Sequence, residues 1–336
     1  MRYFSGPSNA LKQSSCTNLF GRNQAFTKSY KVPQRQVLSS NSVRVGNCPG
    51  SAASLVEYCS NEDWKSELPR HESSQGAAVA LGKFDAMHTG HRELAAEATK
   101  LGGHPWLLSF SGMAEVLGWP ERPPLVAESD RPRVLTSWAP YCEGVLPCQR
   151  LIPFAAVRQL SPEDFVRALA LNMKVCGVVV GKGFRFGYKA AGDTEALLSL
   201  GAKYNLDVSV VDLVERDAMH GSEKVSSSSV RSALAEGQVE RVRDLLGRRH
   251  RLVIQPAAGK AAASQPERCT FVRDDFQNQP PKGGDYIADV RFIGNGSKRG
   301  QSRCQVIVDE EGILIQAHCP PATTSVDALT EVHVDF

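Results

Sequence analysis

The chain has 336 residues, 42% of them hydrophobic and 22% charged, and a formal net charge of +3. That is the balance of a folded globular chain with room for one medium domain and a smaller one. The charge is too small to argue for nucleic-acid binding, and no apolar run approaches the roughly 18 residues of a membrane-spanning helix.

Residues 1–56 carry no Asp or Glu, seven Arg or Lys and ten Ser. A secretory signal needs an apolar core, which this stretch lacks; Arg- and Ser-rich, acid-free leaders have the composition of transit peptides. The reading is an import leader addressed to the plastid (chloroplast), with the mitochondrion as second choice and a disordered basic tail as the alternative. The plastid import machinery is then an expected partner. Residues 57–76 mix charge, Ser and Pro and read as a linker.

The apolar residues 77–81 predict a short buried strand. A turn follows, Gly82-Lys83-Phe84-Asp85-Ala86-Met87-His88-Thr89-Gly90-His91, and then a helix over 92–98 that starts beside His91. A helix start offers unpaired N–H groups and partial positive charge, a ready anion site. Two histidines three apart across a glycine can aim both imidazoles at one anion, and Gly90 allows a close backbone approach. Such a site suits a nucleoside triphosphate that loses pyrophosphate.

Residues 105–110 form a second apolar run. Residues 112–141 are rich in Pro, Arg and Trp and read as a loop excursion. Ser161-Pro162-Glu163-Asp164 opens a helix with Ser as N-cap, and Phe165, Val166, Leu169 and Met173 supply its apolar stripe. Residues 175–180 are a continuous β-branched run, the mark of a central parallel strand. A loop, a helix over about 191–204 and a strand at 208–211 come next. Alternating strands and helices predict a doubly wound α/β fold with a parallel sheet, in which ligands bind beyond the carboxyl ends of the strands. The loops at 82–91 and 181–193 both leave such ends and belong on one rim.

The second loop, Gly181-Lys182-Gly183-Phe184-Arg185-Phe186-Gly187-Tyr188, presents two phenylalanines among glycines, suited either to an aromatic ligand or to capping the core. A third motif, Lys224-Val225-Ser226-Ser227-Ser228-Ser229-Val230-Arg231, puts hydroxyls and cations at a helix start, which suits phosphate or an ordinary surface cap. Residues 255–268 read as a linker, and residues 285–292, 304–308 and 312–315 as strands of a small, antiparallel β module. Nine cysteines with irregular spacing and no Cys-x-x-Cys pair suit reduced thiols.

His-x-Gly-His in this setting resembles the nucleotidyltransferase superfamily of adenylyl- and cytidylyltransferases. The three motifs in order, followed by Leu246-Gly247-Arg248, resemble the prokaryotic-type FAD synthetase module, the FMN adenylyltransferase part of bifunctional riboflavin kinase/FAD synthetases. The resemblance covers roughly residues 77–252. It implies a Rossmann-like fold and the reaction FMN + ATP → FAD + pyrophosphate, with Mg²⁺ as cofactor. By that resemblance His88, His91 and Arg231 are catalytic. Gly82, Phe84, Asp85, Gly90, Lys224, Ser227 and Ser228 hold ATP; Phe184, Phe186 and Gly187 line the flavin site; and Asp193 assists Mg²⁺ through water.

The chain departs from the family at Gly183, where Asn or Asp is usual, and at Phe110-Ser111-Gly112-Met113, where a Phe-x-Pro-His-Pro-like segment is usual. Ser228 replaces a Thr and Ser229 an Arg. The kinase segment Gly-x-Pro-Thr-Ala-Asn is absent, although residues 283–290 and 330–336 resemble kinase strands, the latter the one carrying the catalytic Glu. The expected organisation is a leader at 1–56, a linker at 57–76, an adenylyltransferase domain at 77–252, a linker at 253–268 and a truncated, inactive riboflavin-kinase-like β module at 269–336. Plant plastid FAD synthetases share this arrangement. The alternatives are another His-x-Gly-His transferase and a non-catalytic flavin- or nucleotide-binding regulator. Oligomeric state is not legible.

Overall fold

The computed structural model describes residues 55–69, 75–212, 215–218, 221–257, 262–265, 268–294, 297–317 and 329–336, all within one structural unit, Asn41–Phe336. Of the basic leader at 1–56, all but residues 55 and 56 lie outside the described residues.

Six parallel strands make the first sheet, in the order β1-β4-β3-β2-β5-β6. They are β1 (Val56–Tyr58), β2 (Ala77–Leu81), β3 (His104–Ser111), β4 (Cys148–Pro153), β5 (Val175–Gly181) and β6 (Asp207–Val211). The helices are α1 (Thr89–Lys100), α2 (Met113–Leu117), α3 (Arg131–Trp138), α4 (Phe154–Val157), α5 (Pro162–Arg167), α6 (Thr194–Tyr204), α7 (Ser227–Glu236) and α8 (Val239–Leu246). Every residue of β2 is buried, as are Val178, Val179 and Val180 of β5. Covered on both faces, these strands need continuous apolar runs, each valine side chain contributing about 1.5–3 kcal/mol by leaving water. The chain runs outward from β2 through β3 and β4 on one side and from β5 to β6 on the other. The order therefore reverses between β2 and β5, where a doubly wound sheet opens its ligand crevice.

The second sheet is antiparallel with seven strands, in the order β10-β11-β14-β13-β12-β15-β9. Its members are β9 (Arg251–Ile254), β10 (Ala262–Gln265), β11 (Arg268–Val272), β12 (Gly284–Gly294), β13 (Ser297–Val308), β14 (Gly312–Ala317) and β15 (Leu329–Asp335). Its core holds Leu252, Phe271, Val290, Val306, Ile315 and Val334. A two-stranded hairpin, β7 (Glu215–Ala218) and β8 (Gly221–Lys224), precedes α7.

Four local points differ from the sequence expectations. The excursion at 112–141 contains α2 and α3; Pro132 in the first turn of α3 is compatible with a helix because its missing N–H would be unpaired there anyway. Residues 57–76, read as a linker, include most of β1 and bury Trp64 and Leu68 against the parallel sheet, with the Trp106 indole N–H donating to Pro69 O at 3.0 Å. Strand β4 escapes a hydropathy reading because Gln149 and Arg150 occupy buried positions. Gln149 donates to Ser109 at 2.6 Å, and Arg150 pairs with Glu57 at 2.8 Å and donates to Ser66 O at 2.6 Å. Within the stretch read as a linker at 253–268, β10 pairs with β11.

Candidate active site

The turn after β2 is strained where it matters. Phe84 and Met87 hold left-handed backbone, with φ of 46° and 48°, a conformation that side chains with a Cβ adopt only when their surroundings over-determine it. The surroundings do so through two arginines. Arg131 donates to Phe84 O at 3.2 Å and to Gln149 Oε1 at 3.0 Å. Arg248 donates to Met87 O at 2.6 Å and Ala86 O at 2.9 Å. Burial lowers Arg248 to about 9, so it stays cationic at neutral pH. Thr89 adds a hydroxyl donor to Leu245 O at 3.2 Å, tying the start of α1 to α8.

His88 is the N-cap of α1, and its Nδ1 accepts the His91 backbone N–H at 3.3 Å. That capping bond fixes the tautomer: with Nδ1 accepting, the ring proton of a neutral His88 sits on Nε2, where it can be donated. The two imidazoles stack at 3.7 Å between centroids, 15° apart, and Phe84 meets His91 edge-on at 4.8 Å. Burial, reinforced by Arg248, lowers His88 to about 4. Burial, then its neighbours His88, Arg131 and Arg248, holds His91 well below the usual imidazole range. Both rings are neutral at pH 7, and the His91 Nδ1 is buried without a hydrogen-bond partner.

In the same turn, Asp85 ties the loop at Leu125 to α7. One carboxylate oxygen accepts the Leu125 N–H at 3.1 Å and the other accepts Arg231 Nη2 at 2.8 Å. Arg231 lies on α7, whose N-cap Ser226 accepts from Ser229 N. Ser227 and Ser228 open the helix, half-buried and exposed, just beyond the exposed Lys224 at the end of β8. Ala86 packs with Val225 and Val230, so the β2 turn and the start of α7 face one another. The structure thus brings together Gly82, Phe84, Asp85, His88, Gly90, His91 and Arg231.

The loop after β5 leaves the neighbouring strand on the same rim. Phe184 and Phe186 stack at 5.9 Å, but Phe186 is buried and packs towards Phe165, which leaves the half-buried Phe184 as the more open of the two rings. Gly187 has φ 75°, and a Cβ there would meet Pro162 at 2.8 Å. Gly183 has φ 83°, a left-handed position that Asn and Asp also tolerate, so glycine keeps the backbone while removing a polar side chain. Asp193 caps α6, accepting the Ala196 N–H at 2.9 Å, and lies 3.6 Å from Arg185. Among the described residues no three His, Cys, Asp or Glu side chains gather as a metal site. Sequence reading singled out neither Arg131 nor Gln149. Neither carries a local signal: Arg131 opens a helix that also holds Arg133, Thr136 and Ser137, and Gln149 stands beside Arg150 in β4.

A family model described as FAD synthetase matches residues 143–229. FAD synthetase 2, chloroplastic, of Arabidopsis thaliana is 41% identical over 313 residues, spanning 87% of this chain and 82% of the relative. FAD synthetase 1, chloroplastic, of the same plant is 42% identical, spanning 72% of this chain and 70% of its own. A bifunctional riboflavin kinase/FMN adenylyltransferase of Pseudomonas fluorescens is 28% identical over 67% of this chain and 71% of its own. Among solved structures, one described as a macrolide-efflux protein from Streptococcus pneumoniae aligns with a TM-score of 0.64 at 20% identity, covering 84% of this chain and 89% of that one; it shares the fold.

Proposed function

The chain belongs to the FAD synthetase family and is an FMN adenylyltransferase, and we propose that its catalytic centre is the stacked histidine pair at the start of α1 together with Arg231 on α7. FMN and ATP are the substrates and FAD and pyrophosphate the products. A phosphate oxygen of FMN attacks the α-phosphorus of ATP. The bond from that phosphorus to the bridging oxygen breaks, and pyrophosphate carries the electron pair away. FMN brings its own nucleophile, so the protein's share is positioning and charge stabilisation.

One observation carries the assignment: two stacked, neutral imidazoles share the β2 turn with Asp85, which joins them at 2.8 Å to Arg231 of the serine-rich α7 start. A neutral imidazole donates a hydrogen bond to a phosphate oxygen without giving up a proton. His88 does so through Nε2, and His91 completes the pair beside Gly90. Arg231 supplies the fixed cation, while Lys224, Ser227 and Ser228 hold the outer phosphates at the α7 start. Gly82 and Phe84 wall the nucleotide side, and Phe184, with Phe186 and Gly187 behind it, walls the flavin side.

Mg²⁺ fits this chain as the counter-ion of ATP rather than as a resident of a protein cage. Both Asp85 oxygens are engaged, and Asp193 caps a helix, so Asp193 reaches the ion only through water. The chloroplast is the site of action, as the names of both Arabidopsis relatives state for them, and residues 1–56 are the import leader. The C-terminal β module is without riboflavin kinase activity.

Chromatography of the purified full chain incubated with Mg-ATP and either FMN or riboflavin tests the reading. FAD from FMN, with riboflavin returned unchanged, is the expected result. FMN made from riboflavin would overturn the account of the C-terminal module, and ATP bound without FAD formed would make the chain a binder.

A further inference from the structure

Arg231 is held by three groups, and one of them comes from the antiparallel half of the molecule. Its Nη2 donates to Asp85 at 2.8 Å; its Nη1 donates to Pro123 O at 3.0 Å and to Gln279 Oε1 at 2.5 Å. Gln279 lies between β11 and β12, in the segment that leads into the second sheet. We infer that Gln279 is a positioning residue for adenylyl transfer, aiming the Arg231 guanidinium at the triphosphate, so that the C-terminal β module completes the adenylyltransferase site. This rests on the assignment of Arg231 to ATP made above.

The surrounding bonds show why the side chain is placed for this. The Gln279 N–H donates to Pro124 O at 2.9 Å, and its carbonyl accepts His250 Nε2 at 2.8 Å. Asn278, almost fully buried, donates to Leu125 O at 3.2 Å and Arg251 O at 2.8 Å and accepts Val253 N at 2.9 Å. The carbonyls of 123, 124 and 125 are thus all engaged, one by Arg231 and two by residues 278 and 279. Leu125 N is held by Asp85, so the loop, the acid and the arginine form one closed circuit. Because the backbone on both sides of Gln279 is anchored, its amide oxygen has a fixed place.

The amide also suits the chemistry. Arg231 already carries one carboxylate, Asp85. A second anion would make the cluster net negative and repel an anionic ligand, whereas a neutral oxygen orients the guanidinium without adding negative charge.

The test is a set of full-length variants: Gln279→Ala, Gln279→Glu, Arg231→Ala and the double variant Arg231→Ala/Gln279→Ala. Turnover of FMN by the unaltered chain first tests the functional reading on its own. Binding of a non-hydrolysable ATP analogue, followed by calorimetry, tests positioning whether or not turnover is seen. Losing one orienting bond raises the KM for ATP and weakens analogue binding about fivefold in Gln279→Ala. The isosteric Gln279→Glu weakens both by about tenfold or more through its added charge. The KM for FMN stays unchanged in both, and the melting temperature of Gln279→Ala stays within about 2 °C because the backbone anchors remain. In the Arg231→Ala background, removing Gln279 adds no further loss. Unchanged ATP affinity in Gln279→Ala, or losses that add independently of Arg231, would overturn the inference.

Discussion

The two sheets make opposite uses of the same kind of apolar side chain. The parallel sheet buries β2 and β5 on both faces and brings the loops at their carboxyl ends to one rim, where His88, His91 and Phe184 sit. The antiparallel sheet alternates buried and open positions along β12 and β15, and closes its own core around Phe271 and Val306. Among the described residues it offers Arg231 one side chain, Gln279, from a connecting segment. One of the three hydrogen-bond partners of Arg231 thus comes from the antiparallel half. What joins the two sheets is polar: Asp130, ahead of α3, meets Arg251 of β9 at 3.2 Å, and Arg251 meets Asp335 of β15 at 2.6 Å, all three being buried or nearly so.

Acid breaks this arrangement most deeply. Burial lowers His88 and His250 to about 4 and His91 well below its usual range. Below the unfolded imidazole value of roughly 6.5 the unfolded chain binds more protons than the folded one, so stability is full above that pH and is lost as pH falls towards 4. Each histidine contributes a slope of about 1.4 kcal/mol per pH unit. His88 and His91 belong to the site and His250 to the seam, so denaturant midpoints measured between pH 7 and 4.5 will fall while activity and the seam are lost together. A flat midpoint across that range contradicts the neutral pair.

Arg251→Met attacks the seam alone. It leaves Asp335 without its cation and strips one of two from Asp130, which keeps Arg133 at 2.6 Å. The expected loss is about 3–5 kcal/mol. Calorimetry of the unaltered chain should show one transition; a second transition appearing in Arg251→Met would mean that each sheet holds itself and only the seam couples them.

His91→Ala spares both cores and removes one donor from the charge-stabilising set. Its expected cost is about 10²–10³ in kcat, or about 2.7–4 kcal/mol, with the melting temperature little changed. Unimpaired turnover would confine His91 to packing beside Phe84. Smallest is Ser226→Ala, which takes the cap from α7 while leaving Ser227, Ser228 and Arg231 in place. It should lower stability by about 1 kcal/mol and raise the KM for ATP only slightly; a large KM change would give Ser226 a direct part in holding phosphate.

Much of the first sheet was readable because β2 and β5 are apolar without interruption and the helix starts carry their own caps, Ser161 and Ser226. The candidate site was readable as three motifs because each sits in a local turn-to-helix unit. Strand β4 was not, since its buried Gln149 and Arg150 have their partners on other elements. Nor was the part of the edge at 57–69, where a mixed sequence hides Trp64 and Leu68.

The sequence by itself determined which residue types gather at the candidate site: two histidines across a glycine, a serine-rich helix start and an arginine one turn later. Their local spacing is set by the chain. Only the tertiary structure decided their state. Burial made the histidines neutral, and the cap on Nδ1 put the proton of His88 on Nε2. Arg131 and Arg248 closed on the carbonyls of a strained turn, and Gln279, 48 residues beyond Arg231, came to rest against it. Desolvation and long-range hydrogen bonds depend on what the whole chain places nearby, and no window of sequence contains that.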